Sequence, residues 1–318
     1  MWSMSRSGFR TALSAVFLSL LIVVAGCSER PSAAAYAAFE TKQRAKGKLR
    51  TETAPADAPY DAADLVRNFE RIALYHEADP TKPGGERNWV PNPLRRWDGP
   101  LRYSLLGFGV TPEDRDEVAR LMHRIAGLTG LEIAESEEDP NYWILISTPE
   151  ERDGIGADLA RISPRLAKSF DFWLDNRQVF CIADNLFIGE DRTRIYGGLT
   201  VIGAEIGGLL RRACLHEEIV QSLGLANDHP DVRPSIFNDD GEFALLTEHD
   251  EHLLRILYDP RLEPGMTAEE AMPIVRQIVA EIPLDRPSAQ LAAGTAAPAP
   301  IADAAGSRTP VTQDAPIN

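Results

Sequence analysis

Apolar positions along the chain fall into three regimes. Residues 11–24 (TALSAVFLSLLIVV) are almost continuously apolar, residues from about 60 to 284 carry short periodic runs, and beyond Leu284 large apolar side chains nearly vanish. In the middle regime, residues 100–107 (PLRYSLLG) have strand character, and Thr111-Pro112-Glu113-Asp114 then opens a helix with a cap, a first-turn proline and an acid three residues on. Val118, Leu121, Met122, Ile125 and Leu128 recur at helical spacing until Gly130. Residues 131–134 and 142–147 are of strand length, and Ser163-Pro164 opens a helix carrying Leu166, Phe170 and Trp173. Strands are expected over 177–183 and 199–206, then helices over 211–225, from Thr247 to before Pro260, and from Thr267 to near Ile282. Strands and helices mixed without regular alternation predict one α+β domain over residues 61–284.

The first regime is a leader. Arg6 and Arg10 precede an apolar run of about 14 residues, shorter than the roughly 20 that span a bilayer. A basic start, short apolar run and small residues before a cut read as a secretory signal over 1–26. In Val24-Ala25-Gly26-Cys27 the small pair stands directly before a cysteine, the lipobox arrangement in which the thiol is lipidated before cleavage. An ordinary signal peptide or an anchor helix is the alternative, but no stop-transfer flank follows the run. A lipidated Cys27 would put the protein in the cell envelope, facing the periplasm. Ser28 favours the outer membrane over the inner. Residues 27–60 then read as a tether, partly helical, and 285–318, rich in Ala, Pro, Ser and Thr, as a disordered tail.

Charge and cysteine count narrow the partners. The chain carries a net charge of -15, and loss of the leader's two arginines leaves about -17. That balance argues against nucleic acid, which needs a positive footprint. Beyond Cys27, the remaining Cys181 and Cys214 are an even pair in an oxidising compartment and are expected to form a disulfide. Two buried thiols are the alternative.

The segment most able to carry chemistry is residues 214–228, CLHEEIVQSLGLAND. On a helix, Glu217, Gln221 and Gly224 share one stripe, and Leu215, Ile219 and Leu223 form an apolar stripe beside it. The pattern resembles the metzincin branch of the zincin proteases, HExxHxxGxxH or HExxHxxGxxD, with Glu217, Gln221 and Asn227 at the three zinc-ligand positions, Glu218 at the general-base position and Gly224 at the turn. Residues 246–259, LTEHDEHLLRILYD, resemble the helix that closes matrixin-type domains, and the order of strands and helices before it fits a zincin core. The resemblance implies a zincin-like mixed sheet with an active-site-type helix.

The CxxEExxQxLGLxND helix, the SxFND segment at 235–239 and LYDPRLEPGM at 257–266 are more closely similar to an uncharacterised proteobacterial family, often lipoproteins, with a domain of unknown function (number 2927). This likeness implies a family and no reaction.

No cofactor is expected. Gln and Asn oxygens are poor zinc ligands, and calcium would need Glu217, Asn227, Asp228 or the Asn238-Asp239-Asp240 run, which lacks calcium-loop spacing. Three functional readings follow. The first is binding of a periplasmic peptide, protein or cell-wall partner by a zincin-like domain with substituted ligands. The second is a metal-dependent hydrolase with Glu218 as base. The third is a purely structural lipoprotein, in which Glu217, Glu218 and Gln221 are a solvated face or a bonded network.

Overall fold

The computed structural model describes residues 30–77 and 89–284. The leader, Cys27 and the tail from 285 lie outside the described residues, so the expectations placed on them are not addressed by the fold. In chain order the elements are α1 (Ala33–Ala45), α2 (Ala62–Ala73), β1 (Tyr75–Glu77), β2 (Trp89–Pro91), β3 (Arg96–Trp97), β4 (Leu101–Leu106), α3 (Pro112–Thr129), β5 (Ile133–Glu135), β6 (Tyr142–Ser147), α4 (Arg152–Ile162), α5 (Pro164–Asp175), β7 (Cys181–Ile188), β8 (Arg194–Gly203), α6 (Gly208–Gln221), α7 (Glu248–Leu257) and α8 (Ala268–Glu281).

Local chemistry sets most helix starts. Asp61 with Asp64, Thr111 with Asp114, Thr247 with Asp250 and Thr267 with Glu270 each form a reciprocal capping box that satisfies two orphan amides. Gly130 closes α3 at φ 72°, a left-handed conformation suited to glycine.

The main sheet has six strands. β8 pairs in parallel with β3 and β6, β6 with β4, and β4 with β5, while β7 lies antiparallel on the other side of β8. The domain is therefore a mixed fold on a mostly parallel sheet. The strand–helix–strand run expected over 100–134 forms a parallel β4–α3–β5 crossover, with β5 shifted to 133–135 and partly exposed. Side-chain alternation builds a core on each face. Tyr142, Ile144, Ile146, Ile195 and Ile202 join α2, α3, α6 and α7 on one face. Leu145, Leu186, Leu199 and Val201 pack with Leu166, Phe170 and Trp173 of α5 on the other.

Three expectations need correction. β7 runs to Ile188, well beyond the strand expected to end at 183, because its second half carries Asp184 and Asn185, residue types that read as loop. Helix α4 was not anticipated, since Gly154 and Gly156 interrupt its helical pattern. Residues 30–60 do not stand off as a tether: Tyr36 of α1 is 1 % exposed, α1 packs on α6, and Glu40 accepts the Leu210 amide near the start of α6. The Cys181–Cys214 disulfide forms as expected and joins β7 to α6.

Candidate functional site

The geometry of β7 follows from its only strand neighbour among the described residues. The amides of Gly198 and Ala204 donate to carbonyls of Asn141 and Ser147, so even-numbered residues over this part of β8 turn toward β6. The odd-numbered Leu199 and Val201 then turn toward β7, where their partners are Asp184 and Ile182. Cys181, Ala183 and Asn185 consequently direct their backbone groups outward. This edge borders a groove of about 600 Å³ between β7 and α5, lined by Arg165, Lys168, Ser169, Phe172, Ile182 and Ala183 among others. A smaller recess of about 130 Å³ continues along the same edge to Asn185, Phe187, Gln221 and Ser222.

Helix α6 supplies the polar wall beside that edge. Its Leu215 and Ile219 are buried in the core, which fixes the rotation of the helix and carries Glu217, Glu218 and Gln221 to the β7 side. Glu218, 6 % exposed, lies against the outward amide of Ala183. Burial, with Asp228 nearby, pushes the Glu218 carboxyl up to about 8, and the Ala183 amide pulls the other way. Burial likewise raises Glu217 well above the carboxylate range, with Asp228 and Glu218 adding to the effect. Glu218 sits in the last turn of α6, where the helix dipole also disfavours negative charge. The Gln221 amide donates to Asp228 at 3.0 Å.

Four of the six residues singled out from sequence therefore meet in one place: Glu217, Glu218, Gln221 and Asp228. Gly224 takes φ 116°, and a Cβ there would lie 2.0 Å from the Arg95 carbonyl oxygen, so the chain turns against β3 only because this residue is glycine. Asn227 departs from the group. It is buried, and its amide donates to the Arg71 carbonyl of α2 at 2.7 Å. Sequence reasoning overlooked Tyr142, whose hydroxyl meets Thr200 Oγ1 at 2.7 Å and adjoins Ser222 and Glu218. It read only as a strand residue.

The donors do not fit zinc. Gln221 offers its amide hydrogen to Asp228, Asn227 is engaged with α2, and no histidine joins them. Among the described residues, no group of three or more His, Cys, Asp or Glu is placed to hold a metal ion. The histidines serve elsewhere. His216 accepts the Leu246 amide on Nδ1 at 3.0 Å, leaving Nε2–H to donate to Glu117 at 2.8 Å, and His249 Nε2 meets Asn68. Ser235 is fully buried and donates to Asp250, which also accepts from Thr247 and the Ile236 amide. In the Asn238-Asp239-Asp240 run, the Asn238 side chain braces a turn, donating to the Pro230 and Val232 carbonyls and accepting the Asp240 amide.

What the fold and site define is a mixed domain in which a stapled edge strand faces a helix of buried acids. The chain belongs to the family described as a protein of unknown function (DUF2927), whose profile matches residues 62–277. No curated protein and no solved structure matches it.

Proposed function

We propose that this is a lipid-anchored envelope protein whose zincin-like scaffold captures an extended peptide along the outer edge of β7. The observation that carries the reading is the outer edge of β7, unpaired with a further strand among the described residues, running beside the groove that Ile182, Ala183 and Asp184 line against α5. An exposed strand edge is a template for one more strand: main-chain hydrogen bonds supply affinity, and pockets for alternate side chains supply selectivity. The scaffold part of the reading is supported by the order of elements, with parallel strands, an antiparallel edge strand and then the helix bearing Glu218. The anchor part rests on the Cys27 lipobox.

In this reading the acids on α6 are structural. Protonated Glu218, set against the Ala183 amide, spaces the strand edge from the helix. Phe172, 42 % exposed on the groove wall, offers an apolar contact to an incoming side chain.

The test is panning of a random-peptide display library on the full-length protein in detergent. Enrichment of a common motif that is lost on Phe172→Asp, with an unchanged unfolding curve, is the expected result. Equal enrichment on both proteins would remove the groove as the binding site.

A further inference from the structure

At the end of the groove nearest Phe187, three guanidinium groups surround one aromatic ring. Arg192 lies 5.1 Å from the ring centroid, Arg95 5.3 Å and Arg165 6.0 Å. They come from three distant parts of the chain: the residue before β3, the first turn of α5, and the β7–β8 connection. Arg95 and Arg165 line the same small recess as Asn185 and Gln221.

Carboxylates do not balance this cluster. Among the described residues Asp184 is the acid that reaches it, and its oxygens are already taken by Arg165 at 2.6 Å, Ser169 at 2.6 Å and the Asn185 amide at 2.9 Å. Arg95 and Arg192 have no hydrogen bond or ion pair among the described residues, and Arg95 Nε is buried without a partner. Burial, with Arg192 and Arg165 close by, holds Arg95 down to about 10. On a chain of net charge -15, acidic residues are abundant, so two adjacent arginines left without one form a local exception. Attraction to the Phe187 face offsets part of their repulsion, but a ring does not use guanidinium N–H groups.

We propose that Arg95 and Arg192, with Arg165 behind them, receive a carboxylate of the peptide that lies along β7. This deepens the groove reading and rests on it. Two parallel N–H groups of a guanidinium match the two oxygens of a carboxylate, and the recess is sized for such a small planar group. The carboxylate has two sources, a free C-terminus or an Asp or Glu side chain, and both present the same chemistry to the cluster. Repulsion among the arginines is relieved when the ligand arrives, so selection against neutral peptides comes with the site.

The experiment uses two display libraries on the full-length protein in detergent, one with free peptide C-termini and one with peptides held internally. Binding of enriched peptides and their amidated or Gln-substituted counterparts is then measured by fluorescence anisotropy. Acid-bearing peptides are expected to bind at least about 10-fold tighter than the neutral counterparts. Arg95→Met and the exposed Arg192→Met should each cut that preference severalfold while neutral binding stays. Requirement for a free C-terminus identifies one source, and an Asp or Glu enriched at one position in the internal library identifies the other. Enrichment of peptides indifferent to amidation and to Gln substitution would overturn the arginine proposal and leave the groove reading standing. Failure of both libraries to yield a groove-dependent motif would overturn both proposals.

Discussion

Glu218 of α6 lies against the outward-facing amide of Ala183 on β7. The Cys181–Cys214 disulfide joins the same helix and strand two residues further back along β7. The buried acids and the strand edge are therefore held together by a covalent link beside their contact.

Glu218 makes stability fall as pH rises. Its folded-state value of about 8 lies above the ordinary carboxylate value near 4.5, so between these limits the native state holds a proton that the unfolded state has released. Stability contributed by the protonated group is complete below about 4.5 and declines toward pH 8, at no more than about 1.4 kcal/mol per pH unit for one proton. Urea titrations from pH 5 to 8 should show the decline, and Glu218→Gln should make it shallower, leaving the share that Glu217 carries in the same direction. An unchanged slope in the variant would mean that the Glu218 carboxyl is not the group responsible.

Removing the staple should loosen the edge before it unfolds the domain. Cys181→Ser with Cys214→Ser opens a crosslink spanning 33 residues, and a loss of about 2–5 kcal/mol is expected in chemical denaturation. Hydrogen exchange at Ala183 should accelerate more than in β6. Equal acceleration in both strands would mean that the disulfide holds the whole domain and not the edge.

His216 and Glu117 give the opposite acid dependence to Glu218. Burial lowers the His216 value and a set of hydrogen bonds, His216 foremost, holds Glu117 far below its usual range. Their contribution is present above the unfolded values and is lost as pH falls through 6.5 and then through the carboxylate range. His216→Leu leaves the Leu246 amide and Glu117 short of a partner and should cost about 2–4 kcal/mol at pH 7, with a shallower acid limb in a thermal-melt series.

Intact-mass spectrometry of the purified wild type should find a chain that begins at Cys27 and carries lipid, and Cys27→Ala should accumulate as the uncut precursor without lipid. An uncut, unlipidated wild type in the membrane would return the leader to the anchor-helix alternative. Elemental mass spectrometry of the purified wild type should find transition metal well below one equivalent per chain, and a stoichiometric metal would revive the hydrolase reading.

Sequence legibility tracked the range of the interactions. Helix starts at Thr111, Thr247 and Thr267 were readable because a capping box is complete within four residues. The disulfide was readable from cysteine count and compartment. On α6, the meeting of Glu217, Glu218 and Gln221 follows from helical spacing, and Asp228 comes within reach just after the turn at Gly224. The direction of Asn227 was not readable, because the Arg71 carbonyl that claims it lies 156 residues away. Nor was the arginine cluster, since Arg95, Arg165 and Arg192 share no local pattern and are assembled only by the sheet and α5.

Gly224 illustrates how far a missing side chain can reach. The Arg95 carbonyl occupies the space that a methyl group would need, so the backbone bearing one of the three guanidinium groups is seated directly on this position. A Gly224→Ala chain that still folded would have to lift β3, and its guanidinium with it, off the ring of Phe187. A survey of ligand contacts would pass over residue 224, yet its tolerance to change is a readout of how tightly recognition is tied to the scaffold beneath it.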